Sequence, residues 1–116
     1  MKHSAIYLRF IELMKALESK QPLPALAPIE QKLLEIITIA NTKEQRLSVK
    51  DLMGDSDLAS PATIHKHIHA MVEKGWIRLA QTEDARRKQL VLTDATMRYF
   101  SKLGTAMTKA TKYKIP

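Results

Sequence analysis

Cysteine is absent from this 116-residue chain, which excludes disulfide staples, thiolate metal ligands and a thiol redox sensor and suits a cytoplasmic protein. No stretch approaches the roughly 20 apolar residues that cross a bilayer, so no membrane contact is expected. Met1-Lys2-His3 leads into an amphipathic pattern and not into an apolar run with a small-residue cleavage site, which argues against a secretory signal. The three glycines are scattered and form no phosphate-cradling loop, and no Ser, His and acid fall at a spacing beyond coincidence. The expectation is therefore a protein that is not an enzyme and carries no cofactor.

What is present is an ordinary globular composition with 45% apolar residues and a formal charge of +7. The length is that of one domain, residues 1 to 116, able to bury a single core. The charge is unevenly placed. Residues 1 to 59 carry 8 basic and 8 acidic side chains, whereas residues 60 to 116 carry 11 basic and 4 acidic ones. The whole excess sits in the second half. A one-sided basic surface attracts polyanions, of which double-stranded DNA is the commonest in the cytoplasm; a merely solubilising charge is the plain alternative.

Apolar residues at Ile6, Tyr7, Leu8, Phe10, Ile11, Leu13, Met14 and Leu17 recur at spacings of three and four, predicting a helix over about 4–20. Its apolar arc is wider than one core requires, which points to a second burial partner. Pro22, Pro24 and Pro28 make a stiff connector. Pro28 opens a second helix ending near Asn41. Ser48 with Asp51 forms a variant capping box before a short helix that stops at Gly54. Ser60-Pro61 repeats the start signal for a helix over 61–74, whose buried stripe is Ile64, Ile68, Met71 and Val72 and whose stop is Gly75. Two β-prone runs, Trp76 to Ala80 and Gln89 to Leu92, flank a charged tip at 81–88. Thr93 or Asp94 caps a last helix over about 94–110. The predicted fold is mainly α with a small β-hairpin wing: a winged helix-turn-helix.

On the helix 61–74, the side opposite the apolar stripe carries Ala62, Thr63, Lys66, His69, Ala70 and Glu73, with His65 and His67 on the two flanks. A helix-turn-helix sets the first turns of its second helix against base edges in the major groove. That makes Ser60, Pro61, Ala62, Thr63, His65, Lys66 and His67 the candidate DNA contacts, with Ser60 and the helix N-terminal amides suited to a phosphate. The competing interpretation is a solvated polar face, against which the scarcity of Glu and of i, i+4 ion pairs counts. His65-x-His67-x-His69 is not expected to hold a metal, because no Cys or carboxylate joins the triplet and His67 cannot converge with the other two. Protonation of these imidazoles would instead give DNA affinity a pH dependence. In the hairpin tip, Asp84, Arg86, Arg87 and Lys88 are candidate contacts to the backbone or minor groove, with Asp84 able to orient Arg86.

The run Val72-Glu73-Lys74-Gly75-Trp76-Ile77, then Asp84-Ala85-Arg86-Arg87 and Leu90-Val91-Leu92-Thr93, resembles the second half of the multiple-antibiotic-resistance-regulator (MarR) family. The resemblance implies that Arg86 is a minor-groove wing arginine, Asp84 its positioning partner, and Thr63, His65, Lys66 and His67 the major-groove readers. It covers residues 47 to 93 well and the flanking helices by position only. The function expected is a homodimeric DNA-binding transcriptional regulator, most simply a repressor, with no effector class legible. The terminal helices would supply the dimer interface through Tyr7, Phe10, Met14, Phe100, Leu103 and Met107. The alternative is a winged-helix module for protein–protein assembly that binds no DNA.

Overall fold

The computed structural model describes residues 1–54, 57–83 and 88–112. Asp84, Arg86 and Arg87, three of the four candidate wing contacts, lie outside them. The order of elements is α1 (Lys2–Glu18), α2 (Pro28–Thr42), α3 (Val49–Gly54), α4 (Pro61–Lys74), β1 (Ile77–Gln81), β2 (Lys88–Leu92) and α5 (Asp94–Thr111). This is a mainly helical chain with one two-stranded antiparallel hairpin, the winged helix-turn-helix arrangement. It divides into two compact units, residues 23–96 and the terminal segments 1–22 with 97–116.

In the unit 23–96, the core is built by Leu33, Leu34 and Ile37 of α2, Leu52 of α3, Ile64, Ile68 and Met71 of α4, and Trp76, Ile77, Leu90 and Val91 of the hairpin region. Three residues of α4 spaced by four and three fall on one side of the helix, and this stripe holds it to α2 and α3. Val72, expected in the stripe, is only half-buried. The strands pair from Ile77 opposite Leu92 to Gln81 opposite Lys88. An isolated bridge between Ser48 and Gln89, with the Leu90 N–H donating to the Leu47 carbonyl at 2.8 Å, ties the start of α3 to the hairpin.

The boundaries follow local chemistry. Ser48 and Asp51 cap reciprocally, the Asp51 N–H donating to Ser48 Oγ and the Ser48 N–H to Asp51 Oδ2, both at 3.0 Å. At α4, Ser60 Oγ accepts the Thr63 N–H at 3.3 Å and Pro61 occupies the first turn, where its missing donor costs nothing. α2 runs past Asn41 to Thr42 because the Asn41 side-chain amide donates back to the Ile37 carbonyl at 2.7 Å, and the chain reverses at Glu44 with φ 57°. β1 begins at Ile77, one residue later than the sequence predicts. The Trp76 carbonyl is taken by the Thr93 N–H and by Thr96 Oγ1, at 3.3 and 2.7 Å.

Gly75 closes α4 at φ 86°, a left-handed conformation that costs other residues about 1 kcal/mol or more. An added Cβ would also meet Leu23 Cδ2 at 3.3 Å. Gly75→Ala is expected to lower stability by about 1 kcal/mol, read as a lower urea midpoint at unchanged slope.

In the unit formed by the terminal segments, α1 has no fully buried residue along its 17 positions. Tyr7 and Leu8 on α1 are 62% and 61% exposed, and Met107 on α5 is 55% exposed. Phe10, Met14, Phe100 and Leu103 are half-buried. Large apolar side chains therefore stay in water along both helices, more than a core-facing stripe leaves over.

Candidate nucleic-acid interface

The outward face of α4 is built by its caps and its stripe together. Ser60 fixes where the helix starts, and Ile64, Ile68 and Met71 fix which side turns inward. Ser60, Pro61, Ala62, Thr63, His65 and Lys66 are all exposed, as are His69 and Glu73 further along. The Ser60 and Thr63 hydroxyls lie 3.0 Å apart, so the first turn presents a small, polar surface beside the helix N-terminal amides, suited to an anion. The single cation among these N-terminal residues, Lys66, sits one turn further on. The hairpin adds exposed Arg78 on β1 and Lys88 on β2.

His65 and His69 form a pair with Nε2 atoms 3.1 Å apart and ring centroids 4.3 Å apart at 70°. One ring must donate and the other accept. Among the described residues, no group of three or more His, Cys, Asp or Glu side chains could hold a metal ion.

His67, grouped with the major-groove residues by sequence, has its ring directed toward α2. Its Nδ1 lies 2.8 Å from Glu30 Oε2, and its side chain is 24% exposed. Lys74, seven residues on, donates from Nζ to Glu30 Oε1 at 2.6 Å, and the Ala27 N–H donates to the same oxygen at 2.9 Å. Glu30 is thus a buried carboxylate, 2% exposed, that joins the first turn of α2 to two turns of α4. Burial pushes its carboxyl up, but hydrogen bonds from His67, Lys74 and Ala27 and the Lys74 charge outweigh burial and hold it below the ordinary value of 4.5. Glu30 was not legible as a site residue, because its partners His67 and Lys74 lie 37 and 44 positions further along the chain.

A carboxyl depressed in the folded state stabilises the fold above its unfolded value, and that contribution is lost as pH falls through the folded value. The acid-induced fall in melting temperature below about pH 4.5 is therefore expected to be shallower in Glu30→Gln than in the wild type, measured by thermal melts across acid pH.

The hairpin is anchored to α4 by a compact set of bonds around Gly75 and Trp76. Thr93 Oγ1 donates to the Gly75 carbonyl at 2.6 Å and accepts the Thr96 N–H at 3.2 Å, so Thr93 both caps α5 and closes the hairpin onto the end of α4. Trp76 Nε1 donates to the Pro24 carbonyl at 2.8 Å. These bonds give the Gly-Trp and Leu-Thr runs of the sequence a mechanical meaning: they fix where the hairpin leaves α4.

No protein-family model matches the chain, and no curated protein matches it in sequence. The chain is similar to solved structures, among them the following three. The YusO protein from Bacillus subtilis is 18% identical, over 91% of this chain and 70% of its own, with a TM-score of 0.54. The heme sensor protein PefR from Streptococcus agalactiae, in complex with heme, is 16% identical over 93% of this chain and 72% of its own, with a TM-score of 0.57. Heme-free PefR is 16% identical over 98% and 97%, with a TM-score of 0.55. At these identities the likeness is one of fold.

Proposed function

We propose that the chain is a sequence-specific, double-stranded DNA-binding transcription regulator of the MarR type. The observation that carries this function is α4 itself: a capped helix whose first turns expose Ala62, Thr63, His65 and Lys66 while its other side is locked into a core shared with a hairpin that exposes Arg78 and Lys88. A major groove about 12 Å wide admits such a helix. Thr63 can bond a base edge or touch a thymine methyl, and Lys66 can reach guanine acceptors or a phosphate. Ser60, Pro61 and the amides after them suit a phosphate. Asp84, Arg86, Arg87 and Lys88 are assigned to the minor groove or backbone on the strength of their sequence and the family resemblance. His67 enters through its bond to Glu30 and not as a base contact. The fold shared with YusO and with the heme sensor protein PefR is in keeping with this function, and a regulator needs no catalytic group.

The chain works as a homodimer in this proposal. Tyr7, Phe10, Met14, Phe100, Leu103 and Met107 supply the contact between copies, and the exposed side chains of Tyr7, Leu8 and Met107 on α1 and α5 support that assignment. Two copies read a pseudo-palindrome with half-sites one DNA turn apart. Repression by occlusion of a promoter demands no further surface, and no described helix is long and apolar enough to cross a membrane, in keeping with action in the cytoplasm. Selection of bound sites from random duplex DNA tests the function. Enrichment of a two-fold symmetric motif with turn-spaced half-sites is expected, and a pool that stays unenriched contradicts it.

A further inference from the structure

We propose that Glu30 is a specificity-determining positioning residue, a buried pin that sets the rotation and axial placement of α4 and so decides which of its side chains meet the bases. This rests on the DNA-binding function proposed above and assigns to α2 a part that its distance in sequence from α4 conceals.

The apolar stripe fixes which side of α4 turns inward but sets its rotation and height only coarsely. Burial of Ile64, Ile68 and Met71 is non-directional, so small rotations of α4 about its axis, or slides along it, change the buried area little. Hydrogen bonds to a carboxylate are directional and short. Glu30 grips α4 at His67 and Lys74, at 2.8 and 2.6 Å. Residues seven apart fall on the same side of a helix and about 10 Å apart along its axis. One carboxylate meeting both resists rotation and sliding together, because either motion lengthens at least one bond. The pin is itself fixed: Glu30 Oε1 also takes the Ala27 N–H, and α2 is seated in the core through Leu33, Leu34 and Ile37.

Placement matters because the contacts assigned to Thr63 and Lys66 are lost within about an ångström of displacement. Phosphate attraction is far more tolerant, since it acts over a Debye length of about 8 Å. Loosening the pin should therefore erode discrimination between sequences and leave non-specific affinity intact. A buried ionic group of this kind often contributes less stability than an apolar replacement would, with registry as its best-attested use.

The test uses the full-length wild type, its selected duplex and a scrambled duplex of equal length, and reads the ratio of the two affinities at fixed salt together with the melting temperature. Glu30→Gln should lower the ratio roughly tenfold, the loss of about one base contact, with scrambled-duplex affinity unchanged. His67→Gln, at a quarter-exposed position, should lower it in the same sense. The apolar triple Glu30→Met, His67→Leu and Lys74→Met should melt no lower than Glu30→Gln while the ratio stays low. A ratio unchanged in Glu30→Gln, or restored with stability in the triple, overturns the positioning role. A wild type that binds both duplexes alike removes the DNA function itself and the inference with it.

Discussion

Ile68→Ala is expected to cost about 2–5 kcal/mol, the range for truncating a well-packed aliphatic side chain. Ile68 is 1% exposed and stands at the centre of the α4 stripe between Ile64 and Met71, both fully buried. Small domains are stable by only about 5–15 kcal/mol, so one substitution removes a large share of the total. The melting temperature should fall on the order of 15 °C in calorimetry. Ile39→Ala provides the contrast. That side chain is 56% exposed on α2, and its truncation should change stability by no more than about 0.5 kcal/mol. Equal losses at both positions would mean that the core is not where the burial pattern locates it.

The second large effect concerns DNA. Lys66→Ala and Arg86→Ala should each weaken binding to the selected duplex by about 1–3 kcal/mol, and the double variant on the order of a hundredfold or more. The reasons differ. Lys66 is the exposed cation in the first turns of α4, where a lysine can neutralise a phosphate or meet guanine acceptors. Arg86 is assigned to the wing by its sequence, and there a guanidinium entering a narrow minor groove would gain from its deepened negative potential. Arg86→Ala should accordingly lower the salt sensitivity of binding, while Thr63→Ala should relax sequence preference with the salt sensitivity kept. Titration of labelled duplex with each variant reads both quantities, and wild-type affinity in the double variant would remove α4 and the wing from the interface.

The parts of the molecule that the sequence discloses are those specified by neighbours along the chain. Ser60-Pro61 and Gly75 delimit α4 to the residue, since a hydroxyl cap, a proline in the first turn and a left-handed glycine each have a local steric or hydrogen-bonding cause. The reciprocal cap of Ser48 and Asp51 is legible for the same reason. The helix α1 starts two residues before the expected Ser4, because no cap marks its beginning. What stayed hidden depends on partners far along the chain. Glu30 meets residues 37 and 44 positions away, and no periodicity encodes such a meeting. The inward turn of His67 follows from it: a histidine on the flank of a helical wheel can face either way, and a buried carboxylate on α2 decides. The start of β1 at Ile77 depends likewise on Thr93 and Thr96 reaching back to the Trp76 carbonyl.

Everything functional turns on whether α4 and the hairpin meet a polyanion. The affinity of the wild type for its selected duplex, followed across salt concentrations, addresses this directly. Logarithmic affinity should fall linearly with logarithmic salt at a slope of about −0.9 per phosphate neutralised, several phosphates in all. An affinity that barely responds to salt would contradict a DNA-binding regulator and would mark the winged helix as an apolar module for protein assembly.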